Sequence, residues 1–232
     1  MDDLNLSQKS SHVPASKQGR PHFDPHLIAV DRSVSDTADS VGKTGYYLKR
    51  PLDLLLSGLA LVMLLPVFLV LAAIIKGTSA GPVFFRQKRL GLKEKPFMIL
   101  KFRSMRSDSE ATGPQFTAAN DSRITKIGKL IRKTSLDELP QLINIFRGEM
   151  SLIGPRPYIG FELADASQVS RVKRASVRPG VSGLAQVSGR SRLSQSAVLE
   201  YDLEYIEKCS LRFDFGIVLK TIQKVLFCEG TN

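Results

Sequence analysis

The longest uncharged stretch of the chain is an apolar segment of 22 residues, from Leu54 to Ile75. As an α-helix it would measure about 33 Å, and the hydrocarbon core of a bilayer is about 30 Å thick. The segment starts too far along the chain, and lacks the small-residue cleavage pattern, for a secretory signal peptide. It therefore predicts a membrane segment that stays in the mature protein.

The flanks of this segment bear on whether it crosses the bilayer. Lysine and arginine close to a membrane segment resist translocation. Basic residues stand on both sides of it: Lys49 and Arg50 before, and Lys76, Arg86, Lys88 and Arg89 after. Pro66, near the middle, removes a helix hydrogen bond and clashes with the carbonyl of Val62. A kinked helix that enters and leaves on the cytoplasmic face accounts for both features, and a kinked single span is the alternative that the sequence leaves open.

Composition makes the body of the chain basic. Across 232 residues, 33 Lys and Arg against 22 Asp and Glu give a formal charge of +11. This charge predicts an anionic partner, which is nucleic acid, a phospholipid surface or a phosphorylated substrate. Two cysteines, Cys209 and Cys228, lack metal-ligand spacing, so a structural zinc site is excluded and a reducing cytoplasm is expected.

Residues 1–45 differ from the rest and predict a disordered tail. They hold five basic and six acidic residues and have no sustained apolar period. His22 and His26 are four residues apart, but Asp24 and Pro25 prevent the helix that would align them for a metal. We assign no chemistry to the tail.

Two short extended pieces follow the membrane segment. VFFRQKRLG and PFMILKFRSM, punctuated by Gly91 and Pro96, predict strands. Most of their cations fit a solvated face beside an anionic membrane. Lys101 and Arg103 alternate with apolar residues, so they are expected to share a strand face and to converge on a phosphate.

The stretch SRITKIGKLIRK, residues 122–133, has apolar residues at helical spacing with basic residues between them. A helix of this kind either lies on a membrane surface or packs its apolar face into a core, and the sequence leaves both readings open.

The following stretch, TSLDELPQLINIFRGEMS, carries adjacent carboxylates at Asp137 and Glu138. With Ser135 as N-cap it forms a capping box, but Pro140 would then cost the helix a hydrogen bond. With Asp137 as N-cap, Pro140 falls in the first turn, where no such bond is expected. We expect this second register, with both acids at a helix mouth, one attacking and the other binding metal or moving a proton.

Farther along, isolated arginines stand in backbone rich in glycine and proline. GPRP holds Arg156 between two prolines, and RPGVSGLAQVSGR carries Arg178 and Arg190 around three glycines. Such backbone beside arginine suits close approach to a diphosphate. Helices are predicted for 195–210, packed on the body, and for 214–226, which packs on the body or lies on the membrane. The sequence contains no P-loop, dinucleotide-binding or hydrolase-elbow motif.

Together these segments resemble the bacterial sugar transferase family, the monotopic phosphoglycosyl transferases that start polysaccharide or glycoconjugate assembly on a polyprenol phosphate. The resemblance covers about Lys49 to Leu226, through KRPLD, LKFRSM, SLDELPQLINIFRGEMSLIGPRP and RPGVSGLAQVSGR. It implies a helix-rich α+β fold in a single membrane-associated domain, with an N-terminal kinked re-entrant membrane helix and amphipathic interfacial helices. The expected parts are the tail (1–45), the membrane helix with its break at Pro66 (46–80) and a cytoplasmic catalytic body (81–232).

The resemblance also implies a reaction. A sugar 1-phosphate passes from a nucleotide diphosphate sugar, with UDP as the expected nucleotide, to undecaprenyl phosphate, with Mg²⁺ as cofactor and UMP released. Asp137 would be the nucleophile and form an aspartyl phosphosugar, and Asp137 and Glu138 would be the metal ligands, Glu138 also serving proton transfer. The cations expected at the phosphates are Lys101, Arg132, Arg156 and Arg190 by the resemblance, and Arg178 from the glycine turn. The expected location is the cytoplasmic face of the bacterial inner membrane.

Two other functions are weighed against this one. The basic body motivates a membrane-anchored scaffold or nucleic-acid-binding protein, although the chain has few aromatic residues for stacking on single strands. A catalytically inactive relative acting as a regulator is the other alternative. We expect no nucleic acid as partner, and the sequence leaves a homo-oligomer open. Two positions depart from the family pattern: Leu184 replaces a frequent Trp, and Leu65 replaces a frequent Ser before the proline.

Overall fold

A computed structural model describes residues 46–106, 121–163, 166–189 and 193–227, so the predicted tail, Arg190 and Cys228 lie outside the described residues. The helices are α1 (Lys49–Met63), α2 (Leu65–Thr78), α3 (Lys126–Lys133), α4 (Gln141–Arg147), α5 (Gln168–Arg174), α6 (Leu184–Ser188), α7 (Gln195–Lys208) and α8 (Leu211–Leu226). The strands are β1 (Phe84–Leu90), β2 (Pro96–Phe102), β3 (Ser151–Ile153) and β4 (Gly180–Ser182). Short 3₁₀ turns occur at Tyr46–Leu48, Leu92–Glu94, Leu136–Glu138 and Gly160–Leu163. The helix-rich α+β class is confirmed.

The apolar segment is broken into α1 and α2, which are bent by 60°. The break lies at Leu64, whose N–H donates to the carbonyl of Ala60 at 2.8 Å. Pro66 is the second residue of α2, where a missing N–H costs no helix bond, so the predicted kink is confirmed. In the described part of the chain no single helix has the length and apolar composition to cross a bilayer, whereas this bent pair has both together.

The outer faces of α1 and α2 are apolar and exposed. More than half of the side-chain surface is exposed at seven positions: Leu55, Leu59, Val62, Met63, Leu65, Leu69 and Val70. A contiguous apolar surface of this kind marks an interaction site for a membrane or another protein.

The start of α1 is tied to the body by polar side chains. Lys49 forms an ion pair with Asp214 of α8, and Arg50 donates to two C-terminal carbonyls of α4 at 2.6 and 2.9 Å. Asp53, 4% exposed, accepts a hydrogen bond from the N–H of Leu152 at 3.0 Å. The segment KRPLD therefore attaches α1 to three separate elements.

The end of α2 is tied to the same body. Leu71 and Ile75 are buried in one cluster with Phe102 and Ile131.

Arg103 was predicted to share a phosphate-binding face with Lys101, and this is wrong. Strand β2 ends at Phe102, and the buried guanidinium of Arg103 instead donates to the carbonyl of Ser79 at 2.7 Å.

Helix α3 packs its apolar side into this cluster. Ile131 is fully buried and Ile127 packs against the cluster, while Leu130 is exposed. The helix begins at Lys126, later than predicted, because Ile124 forms a β-bridge with Met105 and Thr125 caps the helix. The core-packing alternative is the one that the structure shows.

Two small sheets place the side chains of the site. Strands β1 and β2 are antiparallel and pair Phe85 with Lys101 and Arg89 with Phe97, so Lys101 and Arg89 share one face. Strands β3 and β4 are parallel. Asn144 of α4 joins this helix to the first sheet, because its Oδ1 accepts the N–H of Leu100 in β2 at 3.0 Å.

Strands β3 and β4 bring the two glycine-rich segments into contact. A Cβ on Gly180 would lie 2.1 Å from the backbone nitrogen of Gly154, and one on Gly154 would lie 2.4 Å from the carbonyl oxygen of Arg178. Backbone atoms cannot move aside as a flexible side chain can. Gly180→Ala should therefore lower the free energy of unfolding by about 2–3 kcal/mol, measured by denaturant unfolding of the detergent-solubilised protein.

Gly216 of α8 provides the matched control, because a Cβ there has no atom within 4 Å. Gly216→Ala should leave stability unchanged or raise it by up to about 1 kcal/mol, since alanine is the better helix former. Equal stabilities of the two variants would contradict the close contact of the two glycine-rich segments.

Helices α7 and α8 complete the body. Helix α8 begins at Leu211, three residues before the predicted start, with Ser210 as N-cap. Its inner residue Ile217 is buried in a cluster with Tyr205 and Ile206 of α7, and Leu184 packs against the same cluster. Its outer face is exposed at Phe215, Leu219, Ile222 and Leu226. Helix α8 thus packs on the body and also presents an apolar outer stripe.

Candidate active site

Asp137 and Glu138 lie on the 3₁₀ turn Leu136–Glu138, between α3 and α4. Neither expected helix register is correct. Ser135 has a left-handed backbone (φ +57°) and makes no capping hydrogen bond through its side chain, and α4 begins at Gln141 with Pro140 as N-cap. Pro140 thus remains outside the helix, where its missing N–H has no cost.

The Asp137 carboxyl is largely withdrawn from solvent, with 9% of the residue exposed. Its pKa is raised to about 6, first by burial and also by the neighbouring charge of Glu138, while Lys101 and Arg132 oppose the rise. At neutral pH most of this carboxyl is ionised although it is poorly solvated. A poorly solvated anion flanked by cations is suited to nucleophilic attack on phosphorus.

Glu138 is held by Lys101. The Lys101 ammonium donates to Oε1 of Glu138 at 2.7 Å, and both side chains are mostly shielded from solvent. Lys101 comes from β2 and Glu138 from the 3₁₀ turn, so this ion pair fixes the acidic turn against the first sheet. The structure therefore brings together three of the predicted site residues: Lys101, Asp137 and Glu138.

A cavity of about 330 Å³ opens beside the acidic turn. Charged side chains from six elements or loops line it: Arg89, Lys101, Lys133, Glu138, Arg156 and Lys224. Asp137 lies on the same turn but, like Arg132, is not among the residues that line the cavity. Five cations against one carboxylate make the cavity suited to a ligand with several negative charges.

Arg156 is presented to this cavity by a fixed backbone. Its exposed side chain stands between Pro155 and Pro157, and its carbonyl accepts a hydrogen bond from the guanidinium of Arg174. Arg174 also stacks on the ring of Tyr158, 3.8 Å from the centroid, and donates to the buried carboxylate of Asp202 at 2.8 Å. Arg174 is thus a support for the loop that carries Arg156.

The other predicted cations are placed differently. Arg132, half-buried, acts on Asp137 only through its charge. Arg178 does not line the cavity, because its Nε donates to the carbonyl of Gly148 at 2.9 Å and its pKa is lowered, first by burial and then by Arg50. Arg178 therefore ties the glycine-rich turn to the C-terminal end of α4. Arg190 lies outside the described residues.

Sequence reasoning missed several residues that line the cavity. Arg89 was assigned to a solvated basic face, yet burial lowers its pKa to about 10, with Glu162 opposing and Arg156 adding to the fall. The alternation of side chains along the two predicted strands, which puts Arg89 on the same face as Lys101, was the signal that could have placed Arg89 at the cavity. Gln186 of α6 also lines the cavity, with Oε1 buried and without a hydrogen-bond partner in the described structure. Lys133 stands in the basic stretch just before the acidic turn, where the sequence already places cations beside the two carboxylates, whereas Lys224 gave no signal in the sequence.

Comparison with known proteins gives a family and several curated relatives. The sequence model of the family described as "Bacterial sugar transferase" matches residues 44–228. "Exopolysaccharide production protein ExoY" of Rhizobium meliloti is 36% identical over 215 residues, which are 85% of this chain and 94% of that protein.

Two longer relatives are also similar over most of this chain. The "UDP-N-acetylgalactosamine-undecaprenyl-phosphate N-acetylgalactosaminephosphotransferase" of Aeromonas hydrophila is 41% identical over 198 residues, covering 80% of this chain and 45% of that protein. The "UDP-glucose:undecaprenyl-phosphate glucose-1-phosphate transferase" of Escherichia coli is 40% identical over 185 residues, covering 76% of this chain and 40% of that protein. The chain therefore spans less than half the length of these two relatives.

Proposed function

The chain belongs to the bacterial sugar transferase family, and on that basis we propose that it transfers a sugar 1-phosphate from a UDP-sugar to undecaprenyl phosphate and releases UMP. Membership of this family makes the protein an enzyme, a transferase, rather than a non-catalytic scaffold. The single observation that carries the specific reaction is the buried Asp137 on an acidic turn held by Lys101, at the edge of a cavity lined by cations. The reaction is proposed as the first step of exopolysaccharide or other glycoconjugate synthesis.

Two displacements at phosphorus account for the transfer. In the first, a carboxylate oxygen of Asp137 bonds to the phosphorus that carries the sugar, and the bond from that phosphorus to the bridging oxygen breaks, so UMP leaves with the electron pair. In the second, a phosphate oxygen of undecaprenyl phosphate bonds to the same phosphorus and the bond to Asp137 breaks. This restores the carboxylate and gives undecaprenyl diphosphate sugar. The reaction needs no oxidant or reductant.

Neighbouring side chains support these steps. Arg156 and Arg89 line the cavity where the diphosphate would lie. Their positive charge would stabilise the negative charge that develops on the bridging oxygen as it leaves. Lys101 holds Glu138 beside Asp137 and limits the rise in the pKa of Asp137, which keeps the nucleophile ionised at neutral pH. Glu138 stands next to Asp137 on the same turn and is a group able to accept or return a proton.

The acidic pair also fits Mg²⁺. Among the described residues, no three His, Cys, Asp or Glu side chains form a group that could hold a metal alone. Mg²⁺ needs only one or two carboxylates when substrate phosphates supply other oxygens. Asp137 and Glu138 are adjacent, and their mutual repulsion, which raises the pKa of Asp137, would be relieved by a cation. Bound there with the substrate, Mg²⁺ would supply positive charge to the diphosphate.

A re-entrant position of α1 and α2 in the cytoplasmic leaflet of the inner membrane belongs to the same proposal. Both ends of the bent pair are bound to one body, α1 through Lys49 and Asp53 and α2 through Ile75 and Ser79. A straight span would carry these ends to opposite sides of the bilayer. The exposed apolar faces of the pair would then lie in lipid, beside the donor and acceptor sites.

The proposal is tested by measuring UMP release. Detergent-solubilised protein with Mg²⁺ is given UDP-glucose, UDP-galactose or UDP-N-acetylgalactosamine, with and without undecaprenyl phosphate. We expect sustained UMP release from one donor, only when the lipid is present. No release with any donor, from folded protein with lipid present, would contradict the proposed reaction with this donor class.

A further inference from the structure

Lys224 is a cation of the cavity that the proposed chemistry leaves without a task. It lies near the C-terminal end of α8 and lines the same cavity as Glu138 and Arg156. Its ammonium makes no hydrogen bond or ion pair with any other described residue, in contrast to Lys101, which is paired with Glu138. A half-buried ammonium beside a cavity, with no partner among the described residues, is suited to an anionic ligand.

The position of Lys224 is fixed by the inner face of α8. Three residues earlier, the Thr221 hydroxyl lies 2.6 Å from the hydroxyl of Ser182 in β4, and one turn before that Ile217 is buried in the core. Residues three and four apart share a helix face. The inner face of α8 therefore carries Ile217 in the core, Thr221 in contact with β4 and Lys224 beside the cavity.

An apolar surface adjoins this lysine. Val225 lines the cavity and is also 48% exposed, and Leu226 and Phe227 follow it with 75% and 70% exposed. The outer stripe of α8 is apolar as well, and the start of α8 is joined to the start of α1 by the ion pair between Asp214 and Lys49. Apolar surface thus runs from the outside of the protein into the cavity, beside Lys224.

We propose that Lys224 binds the phosphate of the lipid acceptor, and that the polyprenyl chain next to this phosphate lies along Val225, Leu226 and Phe227. A phosphate joined to an apolar chain matches a cation joined to an apolar surface. A nucleotide diphosphate sugar has no apolar chain to contact this surface, and Arg89, Lys133 and Arg156 line the cavity for its phosphates. The inference rests on the proposed function, because it names the acceptor subsite of that reaction.

Binding measured without turnover tests this inference independently of the reaction. Radiolabelled undecaprenyl phosphate is bound to the immobilised full chain in detergent and displaced with unlabelled undecaprenyl phosphate or with undecaprenol, which lacks the phosphate. Wild type should prefer the phosphate form about tenfold, as expected for one charge-assisted contact, and Lys224→Gln should lose most of this preference. Lys224→Arg, which keeps the charge, should retain it.

Lys220→Gln is the matched control, since Lys220 is exposed on the same helix and does not line this cavity. It should bind both lipids like wild type. In turnover assays, Lys224→Gln should raise the KM for undecaprenyl phosphate about tenfold and change the KM for the UDP-sugar less than twofold.

The outcomes separate the two proposals. Unchanged lipid preference in Lys224→Gln, or a rise confined to the KM for the UDP-sugar, would overturn the acceptor assignment while leaving the transferase intact. Loss of phosphate preference in Lys224→Gln would support the acceptor subsite even if the tested UDP-sugars gave no UMP. Equal losses in Lys220→Gln and Lys224→Gln would show a general charge effect and would overturn the assignment.

Discussion

Asp137→Asn should abolish UMP release, lowering turnover by about four orders of magnitude or more, as expected when a nucleophile is removed. An amide has the size of the carboxyl but does not attack phosphorus. Because Asp137 is buried and is not among the residues that line the cavity, the shape of the cavity should remain, and UDP-sugar binding should change little. Turnover by UMP release and donor binding by equilibrium dialysis provide the two measurements.

The same variant should be more stable than wild type at neutral pH. The aspartate pKa is 3.8 in the unfolded chain and about 6 in the fold. The protonated carboxyl therefore stabilises the fold below about pH 4, and this contribution is lost as pH rises to about 6 and remains lost above it. Asparagine stays neutral, so Asp137→Asn should gain about 2–3 kcal/mol at pH 7.5 and little at pH 4. Denaturant unfolding without added Mg²⁺ measures this difference.

Asp121→Asn provides a comparison at a carboxylate that is paired with an arginine. Its pKa is lowered to about 2, first by its hydrogen bond with Arg123, so removing that charge should give no gain in stability at neutral pH. An inactive but destabilised Asp137→Asn would show that the loss of turnover comes from damage to the fold. A variant with turnover close to wild type would exclude Asp137 as nucleophile.

Arg156→Gln should lower turnover by about 100-fold to 1,000-fold, which is typical when one charged stabiliser of a transition state is lost. The Arg156 guanidinium lies in the cavity, and only its backbone carbonyl takes part in the fold, through Arg174. Unfolding should therefore occur at the same denaturant concentration as in wild type. Steady-state UMP release gives the activity.

Arg147→Gln is the control for this change, because Arg147 is exposed at the end of α4 and does not line the cavity. It should keep turnover within about twofold of wild type, since surface substitutions of this kind have small effects. Turnover of Arg156→Gln within about threefold of wild type would contradict the role of this cavity in holding the diphosphate.

Local patterns predicted much of the fold. A proline in a long apolar run predicted the break between α1 and α2, and runs of β-forming residues between Gly and Pro predicted β1 and β2. These features depend on residues close together in sequence, where backbone sterics and side-chain periodicity decide the outcome. The re-entrant topology stays a prediction, supported by the attachment of both helix ends to one body.

The register of the acidic turn could not be predicted in the same way. Both expected registers placed the acids at the N-terminal end of a helix that contains Pro140, whereas Ser135 adopts a left-handed conformation and the chain makes a separate 3₁₀ turn before α4. Positive φ is uncommon for serine. The ion pair between Lys101 and Glu138 holds this turn against β2, and it joins positions 37 residues apart.

The cations of the cavity also depended on tertiary contacts. The alternation of Lys101 and Arg103 predicted a shared face, but the end of β2 at Phe102 sends Arg103 to Ser79. Arg89 and Lys224 reach the cavity from β1 and α8, which lie far apart in the sequence. The resemblance identified Asp137 and Arg156 as residues of interest, but only the packing of α8 on β4 places Lys224 beside them.

A covalent bond between Asp137 and the sugar phosphate is the intermediate of the proposed reaction, and intact-protein mass spectrometry detects it. The detergent-solubilised protein is mixed with Mg²⁺ and the UDP-sugar that it uses, without the lipid acceptor, and its mass is recorded. A covalent intermediate predicts that wild type gains the mass of one sugar phosphate and releases one equivalent of UMP. The added mass should disappear when undecaprenyl phosphate is added. Asp137→Asn should gain no mass. Lipid-dependent turnover by wild type with no added mass, or the same added mass on Asp137→Asn, would contradict this intermediate.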